Sequence, residues 1–452
     1  MRDSGPDREL ARPGESLTEQ TVPPTSELNG ADLRRNFWAF TSEMAFFQVG
    51  MTFASSSTIL PSLFSRLTDS EIVIGVATGI ISVSWMLPQL VAAAYTARVE
   101  RKKRFTVRVA LAFRPAILLV ALVVRLWGES APMAALVLVT LGMFAFYMFD
   151  AVAYMPWFDV LHNSLPTRRR GRMQGTGIVL GALGSLIGGV AIRHILSPNS
   201  RWGFAANYAI LFVIAYVLLM CSIASLVLAR EPQAAHRKRK VVPVGQALRE
   251  LPDALRGDPR FVKIVVLRIV NGMVMLAGTF YVLYGLRVLG FRQEDTGLFV
   301  SAQVAGALVS GLVQGVVQDR WGPVSHMRLN IVLSMAPPIL ALIAGPLAAT
   351  SPVAGRYLYI LVFAALGLVI NSMAWPYMNW IIEYAPDDRR TLYIGTINTA
   401  AAALVLAPAI GGLIVRLISY QAAFAAALLI AAVALVFSRN VHDTRTTGAL
   451  PQ

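Results

Sequence analysis

Charge is scarce in this chain. Only 14% of its 452 residues are Asp, Glu, Lys or Arg, against about 25% in an ordinary soluble domain. Cysteine is nearly absent. The one cysteine, Cys221, sits inside an apolar segment, which excludes a disulfide framework and a thiol-rich metal site and leaves a small buried hydrophobe. The five histidines, His162, His194, His236, His326 and His442, are scattered at loop ends or tails and read as surface residues. No metal-ligand cluster forms from them, so no metal is expected. A phosphate-cradling loop is also missing, so ATP-driven pumping within this chain, a cofactor and an enzymatic activity are not expected. Acidic charge is scarcer than basic, 25 residues against 40, for a formal net charge of +15.

Apolar residues make up 56% of the chain, and the mean hydropathy is +0.59. Long stretches are nearly free of charge and can cross ~30 Å of hydrocarbon as helices. Backbone polar groups need internal partners in lipid, and these runs are too long for barrel strands. The expected fold is therefore an all-α polytopic membrane protein of twelve transmembrane helices. The first six spans read as Asn36–Leu60, Ile72–Thr96, Phe105–Leu126, Pro132–Trp157, Met173–Leu196 and Phe204–Ala229. The second six read as Phe261–Leu286, Thr296–Gln318, Met327–Ala349, Arg356–Trp380, Leu392–Ile418 and Gln421–Phe437.

Sorting the basic residues by loop puts thirty of them on the side of the amino terminus, eight on the opposite side and two, Arg114 and Arg268, within spans. This asymmetry orients both termini to the cytoplasm of a multi-pass protein in the plasma (inner) membrane. It also accounts for the basic balance through contact with anionic lipid, without nucleic acid as a partner. Residues 1–35 are polar, lack the apolar core of a signal peptide and read as a disordered cytoplasmic tail, with the first span as an uncleaved anchor. Residues 230–260 interrupt the apolar pattern with a basic linker. Within it Val244–Leu255 is mildly amphipathic and reads either as a surface helix or as a loose connection. The linker divides an N-terminal bundle, 36–229, from a C-terminal bundle, 261–438; residues 439–452 form a second cytoplasmic tail.

A polar signature occurs twice at matching places. Pro156-Trp157-Phe158-Asp159 is followed by Pro166, Arg169, Arg170 and Gly175; Pro376-Tyr377-Met378-Asn379 is followed by Pro386, Arg389, Arg390 and Gly395. The copies lie 220 residues apart, nearly half the chain. Two pseudo-symmetric six-helix bundles in tandem are the expected result, as in secondary transporters.

These residues resemble the major facilitator superfamily. The loop Gly315-Val-Val-Gln-Asp319-Arg320-Trp321-Gly322 is similar to the family's G-x-x-x-D-R-x-G signature. Glu383-Tyr-Ala-Pro386-Asp-Asp-Arg389-Arg390 is similar to its E-x-x-P-x-x-x-R pattern. Gly184-Ser185-Leu-Ile-Gly188-Gly189 and Ala407-Pro408-Ala-Ile-Gly411-Gly412 resemble its antiporter glycine segment. The resemblance implies alternating access. It also implies gating loops around Gly315, Asp319, Arg320, Gly322, Asp159, Arg170, Glu383 and Arg390, with a latch across the bundles; plain solvated loop charges are the other reading of these residues. Gly177, Gly181, Gly184 and Gly188 step along one side of the fifth span, where they would admit a helix of the other bundle or simply pack statically.

Ionisable groups inside hydrocarbon cost a few kcal/mol each even on lenient scales, about 2.5–3.5. Four stand out: Glu43, Arg114, Asp150 and Arg268. In the family that the chain resembles, spans one, four, seven and ten line the cavity, which makes Glu43, Asp150 and Arg268 cavity candidates. Arg114, on a more peripheral span, is a candidate for ion-pair support. Tyr147, Asp150, Tyr154 and Trp157 share one helix face. An aromatic stripe with a carboxylate suits a cationic or amphipathic organic substrate, though Trp157 reads as an interfacial lipid anchor, and Asp150 could instead pair with Arg114. Asn371, Trp375 and Asn379 form a similar face on the tenth span, and Asn271 lies one turn beyond Arg268. A carboxylate in a dry cavity takes up a proton more readily than one in water, and a nearby arginine opposes this; Glu43 and Asp150 are the proton-coupling candidates. The expected function is a proton-coupled secondary transporter, an antiporter exporting a small organic molecule, and the expected state is a monomer. Proton-coupled uptake of a sugar or other metabolite is the close alternative; a non-transporting membrane sensor is more distant.

Overall fold

A computed structural model describes residues 28–86, 99–232, 257–386 and 389–445, with 88, 92, 95, 96 and 255 between them. Most of the amino-terminal tail, and residues 233–254 of the linker with its amphipathic stretch, lie outside the described residues. Among the described residues there is no strand, and nine helical stretches are long and apolar enough to cross a membrane. This is fewer than the twelve expected spans for local reasons. The helix Gly30–Phe53 is too polar to qualify, Glu71–Ser84 is short, and Gln293–Thr350 runs as one stretch.

The N-terminal half contains α1 (Gly30–Phe53), α2 (Ile59–Leu67), α3 (Glu71–Ser84), α4 (Lys102–Phe113), α5 (Pro115–Trp127), α6 (Pro132–Ser164), α7 (Thr167–Ile195) and α8 (Ala206–Leu228). The C-terminal half contains α9 (Pro259–Met273), α10 (Gly278–Arg287), α11 (Thr296–Ser334), α12 (Ala336–Thr350), α13 (Pro352–Ile370), α14 (Trp375–Tyr384), α15 (Arg390–Ala401), α16 (Leu406–Leu417) and α17 (Tyr420–Ser438). α1 starts at Gly30, six residues before the expected boundary. Asn29 caps it, accepting from the amide of Asp32 at 2.8 Å, and Asp32 supplies the acidic first turn that a helix amino end favours.

Several expected spans are broken, each for a stateable reason. Pro115 follows Arg114 and bends the third span between α4 and α5. Gly322, at φ 82°, ends the first part of α11 in a conformation open to glycine. The tenth span is interrupted at residues 371–374, just before Pro376. Pro376 has no N–H to donate and disfavours helix in the residue before it. The carbonyls released there find side chains instead. Leu368 O accepts from Ser310 Oγ at 2.8 Å and Gln314 Nε2 at 2.5 Å, and Val369 O accepts from Asn330 Nδ2 at 3.2 Å. A helix can break in hydrocarbon only when such partners are present.

The two halves meet through α3 against α16, α7 against α11, and α2 against α10. One end is sealed. Arg287 on α10 donates to Glu71 Oε1 at 3.0 Å, Thr68 O at 2.9 Å and Asp69 O at 3.1 Å. Gln293 accepts from Tyr208 at 2.7 Å and from Ser62, and Ser57 pairs with Gln303 at 3.0 Å. A single apolar core runs through both halves there, joining Phe53, Leu60 and Phe64 to Phe280, Tyr281 and Phe299. Towards the chain termini the core splits. Phe40, Val160, Leu161 and Met173 pack within the N-terminal half, and Phe261, Trp380, Tyr377 and Ile397 within the C-terminal half. Among the described residues no hydrogen bond or ion pair joins the halves at that end.

The glycine row on α7 packs within its own half, the static one of the two readings its spacing allows. Gly177, Gly181, Gly184 and Gly188 face Met44, Gln48, Val49 and Phe53 of α1, in their own half. The residue that meets the other half is the next one, Gly189, about 100° further round the helix, which touches Gly297 and Ser301 on α11. The second copy does the same: Gly411 faces Leu276 of its own half, and Gly412 faces Glu71 and Ile72 of α3. A side chain at Gly297 would collide with the backbone of Gly189 and Arg193, at a cost of about 1–3 kcal/mol for overpacking. Gly297→Val should therefore push the sealed end apart. The expected readout is a longer distance between spin labels at Asp69 and Arg292; an unchanged distance distribution in a normally melting variant would remove the close approach as the limiting contact.

Candidate functional site

Five helices of the N-terminal half, α1, α4, α6, α7 and α8, converge on a cavity of about 400 Å³. α6 contributes Asp150, Tyr154, Trp157 and Phe158; α1 contributes Glu43, Phe47 and Gln48; Arg114 enters from the bend between α4 and α5; and α8 adds Ile223 and Leu226. Asp150, Tyr154 and Trp157 reach it together because steps of four and three residues keep one helix face. Tyr147, on the same face by spacing, is half-buried and packs against the main core instead. Trp85 meets Tyr154 edge-on at 5.2 Å between ring centroids, and Tyr154 stacks parallel to Trp157 at 6.3 Å. The wall is thus largely aromatic, and its polar content combines Glu43, Arg114 and Asp150 with the neutral Gln48, Thr106 and Gln174. Trp375 is the residue of the other half that lines the same space.

Each charge has a distinct settlement. Glu43 is 6% exposed and accepts from Trp157 Nε1 at 3.1 Å and Ser222 Oγ at 3.2 Å. Arg114 is 7% exposed. It donates to the carbonyl of Leu219 on α8 and lies 5.4 Å from the centre of the Phe47 ring. Among the described ion pairs none joins Arg114 to Asp150 or Glu43. The three share one cavity without a described salt bridge between them.

Across the interface Arg268 on α9 is 5% exposed. Its guanidinium sits 5.4 Å from the Tyr377 ring centre, and its Nη1 has no hydrogen-bond partner. Asn271, one turn along, is fully buried, and the Tyr377 hydroxyl is a polar neighbour of its side chain. Arg268 borders a second cavity of about 190 Å³ that Ser56, Ser57 and Ser82 line from the other half. Asn371, Trp375 and Asn379 do not form the continuous face that their spacing suggests, because the break before Pro376 separates Asn371 from α14. Of the three, Trp375 lines the large cavity.

The described contacts of the gating-loop residues lie within their own halves. Asp159 pairs with Lys102. Arg170 donates to the carbonyls of Leu165 at 2.7 Å and His162 at 2.8 Å, capping the end of α6. Arg445 binds Glu383 at 2.7 Å and the carbonyl of Asp319 at 2.9 Å, and its side chain crowds Gly322. Gly315 and Arg320 are exposed, and Arg390 opens α15. Among the described hydrogen bonds and ion pairs of these residues, none joins the two halves.

Sequence reasoning missed four participants. Trp157 serves as a hydrogen-bond donor to Glu43 rather than as a lipid anchor. Ser222 is one serine in an apolar run and carries no pattern. Arg445 belongs to a segment read as a tail. His326, read as a surface residue, is 4% exposed and bridges Gln314, Gln318 and Ser372 at 3.0, 2.9 and 2.6 Å.

A membrane-embedded helical protein of two halves, sealed together at one end, with an ionisable cavity lined by one half and by Trp375 of the other, has the form of a carrier. The comparisons agree. The family model of the Major Facilitator Superfamily matches residues 148–404, more than half of the chain, and the chain belongs to this family of membrane transporters. Solved structures share the fold at low identity. The nucleoside transporter NupG matches with TM-score 0.63 and 14% identity, over 90% of this chain and 98% of that one. A D-xylose-proton symporter matches with TM-score 0.61 and 15% identity, over 90% and 98%. A bacterial homologue of the iron transporter ferroportin matches in its inward-facing state with TM-score 0.62 and 12% identity, over 90% and 99%; its outward-facing state gives 0.56. A search of curated proteins finds no match.

The Glu43 environment makes a stability prediction. Removing both donors, Trp157→Phe with Ser222→Ala, leaves a buried acceptor unpaired and should destabilise the protein by about 1–3 kcal/mol. A lowered Tm in detergent that Glu43→Gln partly relieves would bear this out, and an unchanged Tm would contradict it.

Proposed function

We propose that this chain is a proton-coupled secondary transporter that exports a small organic compound by alternating access between two six-helix bundles. One observation carries the reading: Glu43 and Asp150, from different helices, line one aromatic cavity without being consumed by Arg114. A volume of about 400 Å³ falls within the range of drug-sized sites, about 300–1,000 Å³. Two carboxylates among aromatic rings favour a cationic or amphipathic substrate. A proton on Glu43 or Asp150 would compete with such a substrate for the same space, which is the logic of exchange.

The basic-residue asymmetry puts the termini, and with them the open end, in the cytoplasm of the plasma membrane. On this reading the sealed Arg287 end faces outward and the described state is inward-facing. The higher similarity to the inward-facing ferroportin homologue supports this. Arg268, Asn271 and Tyr377 are then reserve polar groups of the substrate path: a buried cation without a partner is costly in hydrocarbon, and a substrate acceptor group relieves that cost. Tyr154 and Trp375 would hold the organic body of the substrate. The protein is taken to act as a monomer.

In proteoliposomes, Asp150→Asn and Glu43→Gln should each abolish substrate-driven proton movement while the protein still inserts and melts normally. Normal coupling in both variants would reject the proton role. The direction is read separately: an imposed gradient, acid inside the vesicle lumen that substrate enters, should drive accumulation if exchange is the mode, whereas uptake symport requires the opposite gradient.

A further inference from the structure

A second cluster of charge lies outside the transport cavity, at the end of the molecule where the chain termini lie. Arg35 on α1, Arg101, Lys103, Arg104 and Arg108 on or just before α4, and Arg230 after α8 line a pocket of about 890 Å³. Glu231 is the one carboxylate among its described lining residues. Two of the six cations are engaged by the fold. Lys103 Nζ donates to the carbonyls of Val227 at 2.7 Å and Ala229, closing the end of α8, and Arg230 pairs with Asp32 at 2.9 Å. Asn36 fixes the floor, accepting from the Arg230 amide at 2.7 Å and donating to its carbonyl at 3.0 Å. The other four, Arg35, Arg101, Arg104 and Arg108, are exposed and join no carboxylate in any described ion pair. Arg101, Arg104 and Arg108 follow steps of three and four, so they share one face. α4 also begins here; Glu231 accepts from the Lys103 amide of its first turn at 3.3 Å, and the side chain of Arg101 makes no cap hydrogen bond there.

The surroundings are apolar. Trp38, one turn past Arg35, is 53% exposed; Leu111, one turn past Arg108, is 45% exposed; Val227 and Leu228 at the end of α8 are 50% and 62% exposed. These side chains continue from the basic pocket towards the part of the helices that faces acyl chains. The combination fits a ligand with a phosphate at one end and hydrocarbon at the other.

We propose that this pocket is a headgroup site for an anionic diacyl phospholipid, with the phosphate held by Arg35, Arg101, Arg104 and Arg108 and the acyl chains lying along Trp38, Leu111, Val227 and Leu228. The site belongs wholly to the N-terminal half. It is independent of the substrate, of the direction of transport and of proton coupling. A bound lipid would anchor the α1–α4–α8 corner at the membrane surface, and it would set the basic cluster's mutual repulsion against a counter-charge.

The test uses the purified full-length protein, delipidated in a neutral detergent, and follows Tm as lipid is titrated. Dioleoyl phosphatidylglycerol should raise Tm at concentrations where dioleoyl phosphatidylcholine does not, and the preference should fade as salt is raised. Arg104→Gln with Arg108→Gln should weaken the apparent affinity for phosphatidylglycerol about thirtyfold, at roughly 1 kcal/mol per basic residue, with Tm in phosphatidylcholine unchanged. Equal shifts with both lipids, or wild-type affinity in the double variant, would overturn the proposal. Inorganic phosphate giving the same shift would also overturn it, in favour of a site for soluble anions. Should the double variant melt early, the single variant Arg35→Gln and the wild-type lipid preference decide the matter, since neither depends on that fold.

Discussion

The structure depends on backbone meeting backbone between the halves at the sealed end. Gly189 touches Gly297, Gly412 touches Glu71 and Ile72, and Gly75 and Gly79 on α3 lie against the backbone of Pro408 and Val405. Lipid tails are as apolar as leucine, so helices in a bilayer are not pressed together by water. They hold through close packing and hydrogen bonds, and both require approach. Positions without a side chain allow it. The Arg287, Gln293 and Ser57 contacts then form because the helices are already close enough for side chains to bridge. A contact of this kind is bistable, because closely packed surfaces either fit or separate and have little use for intermediate spacing.

The paired glycines also divide labour within each half. The first of each pair, Gly188 or Gly411, fastens the helix to the opening helix of its own half, while the second faces the neighbour across the interface. Internal contacts and movable contacts are therefore carried by adjacent residues about 100° apart on one helix. This arrangement lets a half keep its internal packing while its outer partner changes. It matches the distribution of apolar core, which is continuous at the sealed end and separate in each half at the other.

Much of this was legible in the sequence. The repeated Pro-x-x-Asp/Asn signature announced the duplication, and the glycine pairs announced the closely packed helices, because both are short patterns with a single physical use. The acids Glu43 and Asp150 stood out because charge in hydrocarbon is expensive and therefore rarely accidental. Partner identity was not legible. Nothing in the spacing of Glu43 and Trp157, or of Glu43 and Ser222, says that they meet, since each pair is brought together by helix packing across more than a hundred residues. The direction of the α7 glycine row was left open for a related reason. Periodicity identifies a face but not what lies opposite it.

The deepest asymmetry lies between the two copies of the signature. Pro156 sits within the continuous helix α6, whereas Pro376 follows a break. The same residue at the same place in the repeat thus has two outcomes, and the difference is in the neighbours. In the C-terminal half Ser310, Gln314 and Asn330 supply hydrogen bonds to the carbonyls of Leu368 and Val369, and His326 ties Gln314 to Ser372 at the break. In α6 the corresponding stretch presents Asp150 and Tyr154 to the cavity instead. Duplication fixed the frame, and divergence then spent the polar residues differently. One half holds ionisable groups towards the cavity; the other uses neutral amides, a serine and a histidine to hold an irregular backbone still. The half with the satisfied break presents Trp375 to the cavity that Glu43 and Asp150 line from the other half.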